Sequence, residues 1–462
     1  MDSSSSQSSP CYAQDCCWSV PVIAACATFL TSAVDSSRGY LYVLYVDTYG
    51  ISRGTASWPD NVLVITRNLS GFAVALLQNR LSLFSITMLS LTVSAGGAVV
   101  GALSPNIFWT GAAVGGFYGL GFGASLACFS LYSLAYFTEY RATASSSKYV
   151  AWSIAGLTWP SLVSSLANNY GLRGTLLLCG ACILQSCPLL MLLKYPRPFT
   201  GCFRRQSNSR NIGHAEDTKQ LENQIETRSL RRPPRCPQEK LVISAGGSAR
   251  IATSCVSLGT LFRIPDFYVL TFVYVAFDWS QSVFLTTAAD YALDKGATLE
   301  KAKYILTLIA LGNLVGCTAL PWAADRIPFS RGPFAVAGLV ASLVAFVAAS
   351  VSSCFEWFAT FSTILGVFQG YLMSIRAVLL ADYVGAQNVP ISYGIAGLIL
   401  VPLSLCGSTI LGAFRDILGS YDNLYLVLGA LDILGAVLLF PLVFRNRARR
   451  STYKVNRGPA AT

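Results

Sequence analysis

The stretch RSLRRPPRCPQEK, residues 228–240, is the most basic part of a segment that divides an otherwise apolar chain into two. Residues 194–263 hold 13 Lys or Arg against 5 Asp or Glu, and long apolar stretches flank them on both sides. Apolar stretches of about 20 residues cross a bilayer, and basic loops between them stay in the cytosol. The pattern therefore predicts a membrane protein built as two halves around a cytosolic linker.

The composition agrees with this interpretation. Of the 462 residues, 53% are hydrophobic and 12% are charged, which is about half the charged share of a soluble domain. Twelve stretches are long enough to cross a bilayer. We call them spans one to twelve: residues 18–46, 58–78, 82–102, 106–136, 147–167, 174–194, 266–289, 303–324, 332–352, 356–381, 390–413 and 422–444. We expect an all-α polytopic membrane protein whose 12 transmembrane helices form two six-helix bundles.

The spans divide the chain into five parts. We expect an N-terminal tail at residues 1–17, a six-helix bundle at 18–194, a basic linker at 195–262, a second bundle at 263–444 and a C-terminal tail at 445–462. If both termini are cytosolic, 24 Lys or Arg fall in cytosolic segments and six in outer loops. This bias follows the positive-inside rule, and it predicts a multi-pass plasma-membrane protein with both termini in the cytosol.

Two short patterns recur at nearly one offset. They are Tyr-x4-Gly at Tyr45 and Gly50 and again at Tyr291 and Gly296, 246 residues later, and Ile-Ala-Gly-Leu at 154–157 and again at 395–398, 241 residues later. Together they place span one on span seven and span five on span eleven. The sequence thus predicts halves related by a pseudo-two-fold axis along the membrane normal.

A proline follows each copy of Ile-Ala-Gly-Leu, at Pro160 and Pro402. Proline inside a spanning helix removes a backbone hydrogen bond and loosens the turn. With Gly156 and Gly397, these prolines are candidate hinge positions where the halves flex around a central site. A packing kink without a gating role is the alternative.

Ionisable residues within the spans are costly in a bilayer and are therefore functional candidates. Six charged residues stand out: Asp35, Arg38, Arg67, Asp278, Arg376 and Asp432. Asp35 and Arg38 share one helix face, so a local ion pair and a substrate site are both open. Arg376 has no acidic residue within one turn, and a guanidinium matches a carboxylate through two hydrogen bonds. Arg376 is therefore the first candidate for binding an anion.

Several motifs have a familiar arrangement. They are YFTEYR at 136–141 followed by Ala144 and Ala155-Gly156, YGLRG at 170–174, YGISR at 49–53 before Ala56-Ser57-Trp58, and Gly407, Gly412, Asp416, Gly419 and Tyr421 around the end of span eleven. This combination resembles the monocarboxylate transporter family of the major facilitator superfamily, and it covers both halves. The resemblance implies the major facilitator fold and alternating-access transport of a small monocarboxylate or related organic solute.

One departure from that family concerns its charged pair. Where proton-coupled members carry an Asp and an Arg four residues apart in span eight, this chain has Asn313 and Cys317. The proton would then have to be carried by Asp35 or Asp278. Alternatively, the chain is a uniporter for another solute.

These features predict a secondary transporter, symport being open, and not an enzyme, because no nucleophile–base set, metal cluster or histidine lies within a span. The candidate substrate-binding residues are Arg376, Arg38, Asp35, Asp278, Tyr40 and Asn313. We expect a small organic anion or related solute as the substrate, a bilayer as the environment, and no cofactor, metal or nucleic acid. Some members of the resembled family also use a single-span ancillary protein. A non-transporting receptor or scaffold on the same fold is the alternative.

Overall fold

The computed structural model describes residue 15 and residues 17–51, 53–193, 261–327, 331–417 and 419–455. Within these ranges the chain is almost entirely helical and contains no strand. Ten helical segments there are long and apolar enough to cross a membrane. Residues 195–260 of the predicted linker and residues 1–14 of the predicted N-terminal tail lie outside the described ranges.

The helices follow the predicted spans in order. In the first half, span one comprises Ser19–Thr31, Ala33–Ser36 and Arg38–Tyr49, a short helix at Arg53–Ala56 precedes span two (Trp58–Leu77), and span three is Leu83–Leu103. Span four consists of Ile107–Thr110, a π-helical stretch Gly111–Tyr118 and Gly119–Tyr136, and spans five and six are Arg141–Leu184 with Ser186–Met191.

In the second half, spans seven to ten are Pro265–Asp294, Leu299–Arg326, Arg331–Val351 and Phe355–Val384, span eleven consists of a 3₁₀ turn Ala386–Asn388, the helices Val389–Leu405 and Gly407–Gly412 and a π-helical turn Ala413–Ile417, and span twelve is Asp422–Val455.

The segment Arg141–Met191 supplies two crossings. Its 51 residues would be about 75 Å long as one helix, more than twice the hydrocarbon thickness of a bilayer. Gly171 breaks it with φ 65° and ψ −174°, a conformation that is essentially restricted to glycine. With this break, and with span one in three pieces, the twelve predicted crossings are accounted for. The prediction of an all-α fold of two six-helix bundles is confirmed.

The predicted repeat is visible in the backbone. Gly50 and Gly296 both adopt left-handed conformations, with φ 61° and φ 85°, and each ends the first helix of its half. The tyrosine five residues before each glycine is buried, with 4% of Tyr45 and none of Tyr291 exposed. The first helix of each half therefore ends in the same way, with a buried tyrosine followed five residues later by a left-handed glycine.

Two pairs of spans join the halves. Spans two and eleven pack so closely that a Cβ on Gly71 would collide with the backbone of Gly394, and a Cβ on Gly397 with the carbonyl of Asn68. Small residues allow helices in membranes to approach to this distance. Spans five and eight make the second contact, where Cys317 of span eight lies close to Ser153 of span five.

We call the side of the molecule on which Leu193 and Leu261 lie the linker face, and the opposite side the distal face. One buried apolar cluster near the linker face includes residues of both halves. Near the distal face each half has a separate cluster of its own. The halves are therefore packed together on the linker side and have distinct cores on the distal side.

Polar contacts reinforce the closure at the linker face. The guanidinium of Arg141 pairs with Asp382 at 3.0 Å. Asp325 accepts hydrogen bonds from the backbone N–H and the hydroxyl of Thr143 at 2.7 and 2.9 Å. Arg331, which pairs with Asp325 at 2.8 Å, also donates to the carbonyl oxygens of Thr138 and Glu139. Spans eight to ten are thus tied to the segment between spans four and five.

Residues near the ends of the predicted parts are also packed. Asp15, which belongs to the predicted N-terminal tail, accepts hydrogen bonds from the backbone N–H and hydroxyl of Thr138 at 2.9 and 2.7 Å. Leu261, in the predicted linker, is fully buried. Span twelve continues as a helix to Val455, beyond the predicted end at residue 444.

Candidate functional site

Span one is broken near the membrane centre, where one continuous helix was predicted. The chain departs from helical geometry at Ser32 (φ −82°, ψ 2°) and at Ser37 (φ −102°, ψ 12°). The hydroxyl of Tyr118 bridges the first break, since it accepts from the backbone N–H of Asp35 at 3.0 Å and donates to the carbonyl of Thr31 at 2.8 Å. Broken helices whose freed backbone groups are satisfied in this way mark binding sites in transporters.

Asp35 lies between the two breaks and is paired by residues of other spans. Its buried carboxylate accepts from the guanidinium of Arg67 at 3.0 Å and from the indole N–H of Trp152 at 3.1 Å. Arg38 lies farther away, at 3.5 Å, and has a closer partner in Asp60 at 3.0 Å. The local Asp35–Arg38 pair considered from the sequence is therefore secondary to an interhelical pair with Arg67.

Arg376 has the acidic partner that its own helix lacks. Its Nη1 donates to Asp278 of span seven at 2.7 Å. Its Nε is buried and has no hydrogen-bond partner. The guanidinium carbon lies 4.7 Å from the ring centre of Tyr274 and 5.9 Å from those of Tyr149 and Tyr393. The Nε–H of this permanently charged guanidinium thus has no hydrogen-bond acceptor, and three tyrosine rings surround the group.

The two ion pairs follow the pseudo-symmetry of the chain. Asp278 lies 243 residues after Asp35, and both belong to the first helix of their half. Tyr393 lies 241 residues after Trp152, and both belong to the fifth helix of their half. The arginine breaks the symmetry, because it comes from the second helix in one half and from the fourth in the other.

Both pairs face the same central region between the halves. Tyr274 lies within electrostatic reach of Arg376 and also of Arg67 from the other half. Tyr149, from span five, contacts the guanidinium of Arg376, from span ten. The side chains of Arg376 and Asp278 remain 17% and 20% exposed, so part of each is accessible, whereas the Nε of Arg376 is buried. The arrangement can bind an anion with groups contributed by both halves.

Lys148 adds a buried amine to this region. Lys148 was not among the candidates named from the sequence, but it is only 1% exposed and lies about two turns after the start of its helix at Arg141. Its ammonium donates to the hydroxyl of Ser130 and to the carbonyl of Leu126, and it lies over the ring of Tyr149 at 4.9 Å. No acidic partner is seen for it among the described residues.

Two of the predicted substrate-binding residues lie away from the charged pairs. Tyr40 packs against the distal core of the first half. Asn313 packs against the backbone of Gly370 in span ten, and its Oδ1 has no hydrogen-bond partner. Their roles in binding stay predictions. Asp432, another ionisable candidate from the sequence, is buried with its Oδ1 unpartnered.

The predicted hinge residues differ in their surroundings. A Cβ on Gly156 would meet nothing within 4 Å, whereas Gly397 is pressed against span two. The helix runs through Pro160 without interruption until Gly171. Pro402 lies in the last turn of its helix, which ends at Leu405. Whether these positions act as hinges stays a prediction.

Four aromatic residues of the site were not predicted from the sequence. The indole N–H of Trp152 donates to Asp35, although the sequence predicted no role for this residue. Tyr149, Tyr274 and Tyr393 carry no motif of their own. The repeat offered a usable signal, because its offset of 241 residues places Trp152 on Tyr393 in matching helices.

Comparisons with known proteins agree with this architecture. The family model described as Major Facilitator Superfamily matches residues 24–328 and 270–461. The chain belongs to the Major Facilitator Superfamily. Similar curated proteins include monocarboxylate transporter 12-B of Danio rerio, 22% identical over 95% of this chain and 91% of the relative. Monocarboxylate transporter 1 of Bos taurus is 22% identical over 86% of this chain and 79% of its own.

Solved structures show the same fold at lower sequence identity. The fucose:proton symporter of E. coli has a TM-score of 0.66 at 13% identity and covers 91% of this chain and 97% of its own. A proton:xylose symporter has a TM-score of 0.64 at 12% identity and covers 92% and 95%. The resemblance to monocarboxylate transporters is confirmed, and the chain is a multi-pass secondary transporter. Its family and fold are those of transporters and not of enzymes.

Proposed function

We propose that this transporter carries a small monocarboxylate across the plasma membrane by alternating access, with Arg376 binding the carboxylate. The observation that carries the proposal is the unpartnered Nε of Arg376 beside its bond to Asp278. A carboxylate binds a guanidinium through two adjacent N–H groups. Because Nη1 already donates to Asp278, the Nε side of the guanidinium is left to bind the carboxylate of the substrate.

The orientation of the protein in the membrane is proposed from the distribution of its charged residues. In this proposal the linker face is cytosolic, as the excess of Lys and Arg in the predicted cytosolic segments favours, and both termini are cytosolic with it. The halves are packed together at that face and have separate cores at the distal face. This arrangement corresponds to a state in which the central charges are reached from outside the cell.

Proton coupling has a simple electrostatic basis in this site. A bound carboxylate would place two negative groups, its own and that of Asp278, beside one guanidinium. Like charges at this separation disfavour each other's ionised forms, so anion binding favours uptake of a proton by Asp278. The proposal therefore favours electroneutral symport over uniport, as relatives of the fold named proton symporters also suggest.

Counterflow of short carboxylates in liposomes tests the proposal. Replacing Arg376 by Ala is expected to lower uptake efficiency roughly 10- to 100-fold, the range for losing hydrogen bonds to a charged group. Arg376→Lys keeps the positive charge but not the planar pair of N–H donors, so its uptake efficiency should lie between those of the unaltered protein and Arg376→Ala. Arg415→Gln is the matched control, because Arg415 pairs with Asp294 at the distal face within one half.

A second arm tests coupling. With Asp278→Asn, exchange of the acid across the membrane should persist, while a pH gradient should no longer drive its accumulation. Normal uptake by Arg376→Ala would remove Arg376 from the site. If the unaltered protein moves no carboxylate or neutral analogue above empty liposomes, the receptor or scaffold alternative is favoured.

A further inference from the structure

An apolar cavity lies inside the second bundle, directly beside Arg376. It is enclosed by spans seven, nine, ten and twelve. Its lining residues include Leu270, Phe277, Leu339, Leu372 and Leu439, with Ala335 toward the linker face. Each of these six is at most 6% exposed, so the cavity belongs to the interior of the bundle and not to its lipid-facing surface.

Arg376 and Tyr274 are the two polar residues that line the cavity. The same guanidinium that has an unpartnered Nε therefore borders an apolar space. Along span seven the lining runs from Leu270 to Phe277, about 10 Å of helix. The geometry combines a cationic contact with a small apolar compartment next to it.

We propose that this space, the tail cavity, receives the hydrocarbon tail of the carried acid, so that the transporter selects unsubstituted short-chain acids over hydroxylated acids of equal length. The inference rests on the proposed function, since Arg376 must hold the carboxylate for the tail to enter. Each methylene moved from water into the cavity tightens binding about fourfold. A hydroxyl there would lose its hydrogen bonds to water without a replacement and would weaken binding roughly tenfold.

The test measures how unlabelled acids inhibit uptake of a labelled one by the full chain in liposomes. From acetate through propionate and butyrate to pentanoate, the inhibition constant should fall about fourfold per methylene until the cavity is full. 3-Hydroxybutyrate should inhibit about tenfold more weakly than butyrate. Equal inhibition by all these acids would overturn the tail cavity while leaving carboxylate transport in place. A complete lack of inhibition by any acid would instead overturn the proposed function.

Substitutions of cavity-lining residues test whether the dependence of inhibition on chain length arises in the tail cavity. Ala335→Leu fills the linker-side end of the cavity and should raise the pentanoate-to-acetate ratio of inhibition constants about tenfold. Ala345→Leu is the matched control: Ala345 is equally buried on the same span but belongs to the distal core, so its ratio should not change. Leu439→Ala enlarges the cavity and should shift the preference to longer acids. An unchanged ratio in both Ala335→Leu and Leu439→Ala would refute the assignment.

Discussion

Lys148 is a buried amine without a carboxylate partner among the described residues, a costly arrangement inside a membrane protein when the amine is protonated. Its ammonium lies within electrostatic reach of Arg376. When its amine is protonated, Lys148 adds to the positive potential of Arg376 at the point where an anion would bind. Such a charge is retained in a buried position when it serves function, since stability alone favours an apolar side chain there.

Replacing Lys148 by Met should therefore stabilise the protein and weaken anion binding. The apolar chain fills the same space, and Ser130 keeps a partner because its hydroxyl already donates to the carbonyl of Leu126. We expect the free energy of unfolding to rise by about 1–2 kcal/mol, seen as a higher melting temperature in detergent. The KM for a carboxylate should rise.

Ser130→Ala is the control for this prediction, because it removes a hydrogen-bond partner of Lys148 and keeps the charge. Its KM should stay near that of the unaltered protein while its melting temperature falls. A Lys148→Met variant with an unchanged KM and a lower melting temperature would show that Lys148 has a structural role alone.

At this scale the sequence singled out charged residues that the structure places in interhelical ion pairs, but it did not predict how they pair. Asp35, Asp278 and Arg376 stood out because ionisable groups in a bilayer are costly. Their partners come from spans distant in the chain, and helix-face spacing reveals neighbours within one helix only. The Asp35–Arg67 and Arg376–Asp278 pairs were therefore not predictable from spacing.

At the scale of elements, the internal repeat predicted equivalence of helices better than equivalence of contacts. Ala155 and Ala396 in the two copies of Ile-Ala-Gly-Leu are both buried, with 0% and 1% exposed. The adjacent glycines differ, because Gly397 contacts span two and Gly156 has open space around it. The breaks in span one were missed, since Ser32 and Ser37 carry no helix-ending signal as strong as Gly or Pro.

The two glycines give a matched pair of variants. Leu at position 397 would collide with the carbonyl of Asn68 and force spans two and eleven apart. We expect uptake to fall at least tenfold at equal surface expression. A Cβ at position 156 meets no atom within 4 Å, and leucine favours a helix over glycine by up to about 1 kcal/mol.

Gly156→Leu should therefore transport normally and melt at the same temperature or higher. The comparison also tests the predicted hinges. If Gly156→Leu abolished transport without loss of folded protein, Gly156 would be needed for flexing and not merely tolerated as an open position.

For the whole molecule, hydropathy and charge were sufficient to predict twelve crossings in two halves, because a bilayer imposes span length and loop charge directly. The conformational state was not predictable, since both states of a transporter share one sequence. The structure selects the linker-face-closed state through the contact of Arg141 with Asp382 and the bonds from Thr143 to Asp325.

Weakening this closure should shift the population toward the opposite state. Asp382→Asn removes a charge that pairs with Arg141 at 3.0 Å and lies 3.7 Å from Arg331, and hydrogen bonds to charged groups contribute about 1.5–3 kcal/mol. A change of that size alters a two-state ratio by tenfold or more. Amide hydrogen exchange should therefore become faster around residues 138–146 and 322–327.

The control is Asp422→Asn at the distal face, where Asp422 pairs with Lys295 of the same half at 3.2 Å, so exchange at the linker face should not change. The exchanged charge pair, Arg141→Asp with Asp382→Arg, should restore slow exchange in part, because Arg331 would then face a like charge at position 382. Equal exchange rates in Asp382→Asn and the unaltered protein would mean that apolar packing alone keeps the linker face closed.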